Sequence, residues 1–120
     1  MSRKFLSMAL AGFLTLAAGS TLQAGAVGGP KWDNFTVPSY TTVTYRTNFY
    51  AGELAVVSVV GDGYTDLDLY VYDENGHLIA SGTDLIDGCA VKWIPKWTGQ
   101  YTIKVVNRGS DYNNFRLRTN

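Results

Sequence analysis

The stretch that decides the fold runs from Asp66 to Gly82 and reads DLDLYVYDENGHLIASG. Apolar and polar side chains alternate from Leu67 to Val71, with the period of two that is typical of a strand with one buried face. The Asn75-Gly76 pair follows, and it predicts a type I′ hairpin turn because both residue types accept a positive φ. The next run, His77–Ser81, is then the antiparallel partner of the first strand.

The same patterning continues on both sides of this hairpin. Runs rich in β-branched and aromatic residues are separated by Gly, Pro and Asn, at the spacing typical of a β-sandwich. No segment beyond residue 24 has a convincing helical period. The chain is therefore predicted to be an all-β, single-domain protein with seven strands, at Thr41–Thr47, Glu53–Gly61, Asp66–Asp73, His77–Ser81, Cys89–Ile94, Trp97–Asn107 and Tyr112–Thr119.

The first 24 residues have a different composition. Two basic residues precede the apolar run Phe5–Ala18, and small residues follow it, ending at Ala24 and Ala26. This order is typical of a secretory signal peptide. The apolar run is shorter than the roughly 20 residues needed to span a bilayer. We therefore expect cleavage near Ala24 or Ala26, export to the periplasm, the cell surface or the medium, and no membrane span afterwards.

The remaining chain has the length of one domain. Residues 25–39 contain three glycines and two prolines, which break regular structure, and we expect them to form a leader. Residues 40–120 are then the β-sandwich. Cys89 is the single cysteine of the sequence, so no intramolecular disulfide can form. In an exported protein its thiol is either buried as a small apolar group or pairs with another chain.

Acidic and basic residues are segregated along the chain. The segment Ala51–Gly88 contains eight Asp and Glu residues and no Lys or Arg, whereas Cys89–Asn120 contains six Lys and Arg residues and only Asp111. Phosphate binding needs clustered positive charge, so the acidic half argues against nucleic acid as a partner. The segregation indicates either strands of opposite charge that pair in one sheet, or a cation site in the acidic half.

Two stretches together resemble the bacterial pre-peptidase C-terminal domain family. They are DLDLYVYDENGHLIASG and, after a short loop, VKWIPKWTGQYTIKVVNRG, and the similarity covers roughly Thr41 to Asn120. The resemblance implies a jelly-roll-like antiparallel β-sandwich of about this length, of the kind appended to secreted proteases. Related domains of bacterial collagenases bind fibrous protein and calcium. Some of their metal ligands are acids near the start of the DLDLYV-type strand, which Asp66 and Asp68 match here.

Asp62, Asp66 and Asp68 are the candidate metal ligands. They lie within seven residues, with Asp66 and Asp68 on one face of the predicted strand and Asp62 in a glycine-flanked loop. Calcium takes about six to eight oxygen ligands, several of them from carboxylates, and Asp84 or Asp87 could supply another. The alternative is a solvated acidic face that keeps the sheet soluble and prevents pairing of its edge with another chain.

Tyr70, Tyr72 and Trp97 are the candidate ligand-binding residues. Tyr70 and Tyr72 share the face of Asp66 and Asp68, and Trp97 lies beside a predicted loop. Exposed tyrosines in a row can stack on a sugar or pack along an extended protein strand. The alternative is ordinary cross-strand pairing with the stems of Lys or Arg.

The sequence contains no arrangement of residues that indicates an enzyme. The only histidine, His77, follows the hairpin turn, and no spacing pairs it with Cys89 or Ser81 and an orienting group. We therefore predict an exported, non-catalytic binding or structural module that contacts an extracellular protein or polysaccharide. Calcium would stabilise this module if the acidic residues form a metal site and not a solvated face. The alternative is an accessory or inhibitor protein that docks on a secreted enzyme such as a protease, through the Arg116/Arg118 strand and the acidic hairpin.

Overall fold

The computed structural model of the protein describes residues 25–63, 65–83 and 88–120. The predicted signal peptide and two of the candidate acids, Asp84 and Asp87, therefore lie outside the described residues. The described part forms eight strands: β1 (Lys31–Val37), β2 (Thr42–Phe49), β3 (Ala55–Val60), β4 (Leu67–Tyr72), β5 (Leu78–Gly82), β6 (Gly88–Trp93), β7 (Gly99–Asn107) and β8 (Asn113–Thr119). It has no helix of the length and hydrophobicity that crossing a membrane requires.

The strands form two four-stranded antiparallel sheets. The first sheet has the order β1-β8-β3-β6 and the second sheet has the order β2-β7-β4-β5. The chain thus changes sheets at most of its connections, and eight strands arranged in this way form a jelly roll. The predicted all-β, jelly-roll-like sandwich of a single domain is confirmed.

The core lies between the two sheets and follows the period-two pattern of the sequence. Leu67, Leu69 and Val71 of β4 are fully buried. Trp93, Phe49 and Tyr101 form an aromatic cluster with ring centroids 4.9–5.8 Å apart, a range in which edge-to-face packing is favourable. Cys89 lies half-buried against this core. Its Sγ is 3.8 Å from the carbonyl oxygen of Gly82. The other buried apolar residues are Ala26, Val37, Ala55, Val57, Val59, Val91, Ile103, Val105, Phe115 and Leu117.

Strand β1 lies within residues 25–39, where we had expected only a leader. It pairs with β8 from Lys31 to Val37. The Phe35 ring stacks on that of Phe115 at 5.6 Å. Regular structure is possible here because the glycines and both prolines flank the strand and do not interrupt its seven residues. The sandwich therefore begins before residue 40.

The β4–β5 hairpin has a different turn from the predicted type I′. Gly76 has a φ of 82°, but Asn75 is not among the residues with a positive φ. The carboxylate of Asp73 accepts hydrogen bonds from the backbone N–H groups of Asn75 and His77, both at 2.9 Å. A three-residue loop that ends in a left-handed glycine is the next most common hairpin connection. Capping by the Asp73 side chain favours this longer loop.

Candidate functional site

The outer face of the second sheet contains an ion pair that involves one of the predicted metal ligands. Arg108 Nε donates to Asp68 Oδ2 at 2.8 Å, and the side chains are 53% and 9% exposed. Arg108 Nη2 also donates to the Tyr70 hydroxyl at 3.0 Å, and that hydroxyl lies 3.5 Å from Asp68 Oδ2. The hydrogen bonds to Asp68 and then to Tyr70 raise the pKa of Arg108. A cation of the protein itself thus already occupies one oxygen of the Asp68 carboxylate.

The two predicted binding tyrosines contact basic side chains of the neighbouring strand. Tyr70 pairs with Lys104 in the β4–β7 register. Lys104 Nζ also lies 5.4 Å from the centroid of the Tyr72 ring, within the range of a cation–π interaction. Both tyrosines are half-buried. This arrangement is the cross-strand pairing that we considered as the alternative to ligand binding.

Trp97 lies in a loop and not on the strand that contains these tyrosines. It is in the loop after β6, beside Gly99 at the start of β7. Tyr72 pairs with Thr102, three residues further along β7. The described residues thus bring Tyr70 and Tyr72 together, but they do not add Trp97 to the same row. A role of these three residues in ligand binding stays a prediction.

The predicted calcium ligands are held by other parts of the protein. Asp62 Oδ2 accepts a hydrogen bond from the backbone N–H of Asn114 at 2.8 Å. The backbone carbonyl of Asp66 accepts one from the N–H of Arg108 at 2.9 Å. Within the described ranges, no three His, Cys, Asp or Glu residues form a group that could hold a metal ion. Calcium binding by Asp62, Asp66 and Asp68 stays a prediction.

The outer face of the first sheet contains a different set of side chains, which we call the arginine face: Trp32, Asn34, Val60, Arg116 and Arg118. The Arg116 guanidinium lies over the Trp32 ring, 4.4 Å from its centroid. Arg116 Nε donates to Asn34 Oδ1 at 3.3 Å. The Trp32 side chain is 59% exposed, and an open groove of about 600 Å³ runs along this face.

The arginines of this face have no acidic partner among the described residues. The two ion pairs found in residues 25–63, 65–83 and 88–120 are Arg108–Asp68 and His77–Asp73. In the sheet register, Arg116 lies between Asn34 and Val60, and Arg118 lies between Trp32 and Ser58. The arginine face therefore has two guanidinium groups and an exposed indole whose partners in the sheet register are neutral, and Asp62 is the acidic residue that lines the same groove.

Buried amides organise the loops at one end of the sandwich. We call this the loop end; it comprises the β1–β2, β3–β4 and β7–β8 loops. Asn107 Nδ2 donates to the carbonyls of Pro38 at 3.3 Å and Asp111 at 2.7 Å, which joins the first and third of these loops. Asn113 connects the second, because it accepts from the Asp62 N–H at 3.2 Å and donates to the Thr65 hydroxyl at 2.8 Å.

Two large aromatic side chains project from the loop end. Tyr40 is 71% exposed and Tyr112 is 55% exposed. Tyr40 is also the one non-glycine residue of the described part with a positive φ, 54°. This left-handed conformation costs about 1–2 kcal/mol for a residue with a Cβ. The backbone N–H of Tyr40 donates to the Gly109 carbonyl at 3.2 Å, which holds it in place.

Asn107 and Asn113 were not among the residues predicted to be functional. Asn107 continues the inward-facing series Tyr101, Ile103 and Val105 of β7, and it is 1% exposed. A buried polar group must form hydrogen bonds, so an asparagine at an inward-facing position was the signal that could have found it. Asn113 gives the same signal at the start of β8, before the buried Phe115 and Leu117.

Comparison with known proteins shows the fold. No family model and no curated protein matches the chain. A solved structure, the periplasmic inhibitor of g-type lysozyme PliG from Aeromonas hydrophila, is similar with a TM-score of 0.55 and 18% sequence identity. The match covers 80% of this chain and 85% of that one. The chain therefore shares its fold with a lysozyme inhibitor.

Proposed function

We propose that this protein is an exported, non-catalytic inhibitor that docks on a lysozyme-type glycosidase. The observation that carries the proposal is the arginine face, on which Arg116 stacks on the exposed Trp32 without a carboxylate partner among the described residues. Trp and Arg are the residue types most enriched at the energetic centres of protein interfaces. A pre-positioned indole–guanidinium pair on an open sheet is therefore well suited to hold a protein partner.

The charge of this face indicates the kind of partner. Most glycosidases have two carboxylic residues that flank the scissile bond, so their clefts are acidic. A guanidinium can bind a carboxylate through two parallel hydrogen bonds. Arg116 and Arg118 provide two such groups on one face. The partner class is supported by the fold shared with an inhibitor of g-type lysozyme.

Export and the absence of catalysis belong to the same proposal. Export is supported by the predicted signal peptide and by the periplasmic location of the structural neighbour. A non-catalytic role is supported by that neighbour, which is an inhibitor. The proposal replaces the protease that we first considered as the docking partner with a glycosidase.

Inhibition of a g-type lysozyme tests the proposal. The exported, purified protein is titrated into the enzyme, and the loss of turbidity of a cell-wall suspension is followed. We expect inhibition by the parent, and a rise of about tenfold or more in the half-inhibitory concentration for the Arg116→Ala/Arg118→Ala variant. The matched control is Arg46→Ala, which removes an exposed arginine from the second sheet and should inhibit as the parent does.

Two results would contradict the proposal. One is a parent protein that neither inhibits nor binds the lysozyme. The other is an equal loss of inhibition in the Arg46→Ala control. That result would show that inhibition depends on the positive charge of the whole protein and not on the arginine face. Retention on cell-wall polysaccharide without inhibition would favour our first prediction, a binding module for an extracellular protein or polysaccharide.

A further inference from the structure

Tyr40 has an exposed aromatic side chain and a left-handed backbone, and neither of these contributes to the stability of the folded domain. Its side chain is 71% exposed, and its backbone has a φ of 54°, a region that glycine or asparagine occupies more easily. An exposed tyrosine ring contributes little to the core, so folding alone does not explain this residue in this conformation. Strained backbone of this kind is concentrated at binding and catalytic sites.

The surroundings of Tyr40 hold it in a fixed position relative to Tyr112. Its N–H donates to Gly109 of the β7–β8 loop. The Thr41 hydroxyl closes the β1–β2 turn by donating to the Pro38 carbonyl at 2.8 Å. Asn107 binds Pro38 and Asp111, one residue before Tyr112, through the same amide group. The two exposed rings are thus presented on loops that are hydrogen-bonded to each other.

The loop end is continuous with the arginine face. Tyr112 is two residues from Asn114, and Asn114 lines the same groove as Arg116 and Arg118. One partner can therefore contact the arginine face and the loop end at the same time. Tyrosine provides a large contact area at a low cost in side-chain entropy, particularly when its backbone is already ordered.

We infer that Tyr40 and Tyr112 are the part of the protein that enters the substrate cleft of the partner glycosidase; this inference rests on the proposed function. The partner is a concave cleft that binds sugar rings. A flat apolar ring with one hydroxyl at its tip matches the contacts that such a cleft makes with a sugar. The arginine face binds beside the cleft, and the tyrosines block it.

The inference predicts inhibition that is competitive with a soluble oligosaccharide substrate of the g-type lysozyme. Tyr40→Gly is the decisive variant, because glycine adopts a positive φ without strain and the variant should melt no lower than the parent. We expect its half-inhibitory concentration to rise about tenfold or more. Tyr112→Ser is the second variant, with a rise in the same direction. The matched control is Leu54→Ser, which removes an exposed apolar side chain from the β2–β3 loop, outside the loop end.

The outcomes separate this inference from the proposed function. If the parent inhibits competitively, Tyr40→Gly and Tyr112→Ser are weaker and Leu54→Ser is not, the inference holds. If the parent inhibits and both tyrosine variants match it within about twofold, the inference is overturned while the proposed function stands. The same conclusion follows if inhibition is not competitive. If the parent neither inhibits nor binds, both are overturned.

Discussion

The two outer faces of the sandwich differ in how their charged groups are paired. On the second sheet, Arg108 binds Asp68 at 2.8 Å, and Lys104 lies over the Tyr72 ring. On the first sheet, Arg116 lies over the exposed Trp32 and has no ion pair among the described residues. The first arrangement satisfies groups of the fold itself. The second leaves charge and aromatic surface available to a partner.

The segregation of charge along the sequence explains this difference. The acidic segment supplies β4, which pairs with β7 and so places Tyr70 opposite Lys104 and Asp68 near Arg108. The basic strand β8 pairs with β1 and β3, and the outward-facing positions of β3 are Val56, Ser58 and Val60. Pairing of oppositely charged strands thus occurs in the second sheet and is missing from the first.

The largest expected effect is a difference in thermal stability between variants that lose an arginine from one face or from the other. Arg108→Ala removes the cation from the Asp68 carboxylate, which is 9% exposed and whose Oδ1 accepts no hydrogen bond from the described residues. We expect Tm to fall by roughly 5–10 °C, because a buried charge loses its partner. Arg116→Ala, the matched change on the arginine face, should lower Tm by about 2 °C or less. Thermal melting of both variants at pH 7 measures the difference.

A second variant controls for lost packing of the Arg108 stem. Asp68→Asn in the Arg108→Ala background removes the uncompensated charge and should recover part of the lost Tm. Equal losses for Arg108→Ala and Arg116→Ala would show that the two faces do not differ in the way described.

An intermediate effect concerns acid stability at the end of β4. Hydrogen bonds from the backbone N–H of His77 and then of Asn75 lower the pKa of Asp73 from the ordinary value of 3.8, although burial opposes them. A folded-state pKa below the unfolded one contributes stability that is present above the unfolded pKa and is lost as the pH falls through the folded pKa. We therefore expect the Tm of the parent to decline below about pH 4 more steeply than that of Asp73→Asn.

Melting curves between pH 2 and 6 test this expectation. Asp62→Asn is the control, since it removes a different carboxylate, which is exposed and accepts a hydrogen bond from the backbone N–H of Asn114. Parallel pH profiles for the parent and Asp73→Asn would assign the acid sensitivity to other groups.

The fold followed from local patterns, whereas the pairing of charges did not. Alternation at Leu67, Leu69 and Val71 fixes which face of β4 is buried, whatever its neighbours are. The Asp68–Arg108 pair joins residues 40 positions apart, and only the register of β4 with β7 brings them together. The sequence therefore indicated pairing of oppositely charged strands as one of two interpretations, but not that Asp68 and Arg108 are the residues that pair.

Two local predictions were also wrong, the type I′ turn of the β4–β5 hairpin and the leader without regular structure. In the first a side chain forms hydrogen bonds with the backbone of the turn, and in the second the prolines and glycines lie outside the strand. The Asp73 carboxylate caps the hairpin loop and alters a turn that Asn75-Gly76 alone would make type I′. Pro30 and Pro38 flank β1, so a composition rich in breakers concealed a regular strand. Tyr40 is held in the left-handed region by a contact with another loop, the hydrogen bond that its N–H donates to the Gly109 carbonyl.

The smallest expected effect concerns the predicted calcium ion, which would compete with Arg108 for Asp68 on the outer face of the second sheet. In the parent, a cation approaching Asp62, Asp66 and Asp68 must compete with the Arg108 guanidinium at Asp68 Oδ2. A ligand that binds the folded state and not the unfolded one raises Tm, and the rise increases with the ligand concentration relative to its Kd. If the acidic face binds calcium, Arg108→Ala should therefore show a larger rise in Tm with millimolar calcium than the parent, relative to melting with a chelator. The Arg108→Ala/Asp68→Asn variant should lose the additional rise, because it lacks the freed carboxylate.

An equal rise in Tm in all three proteins would show that calcium binds elsewhere on the protein. No rise in any of them would show that the acids form a solvated face, on which the partner of Asp68 is the protein's own Arg108.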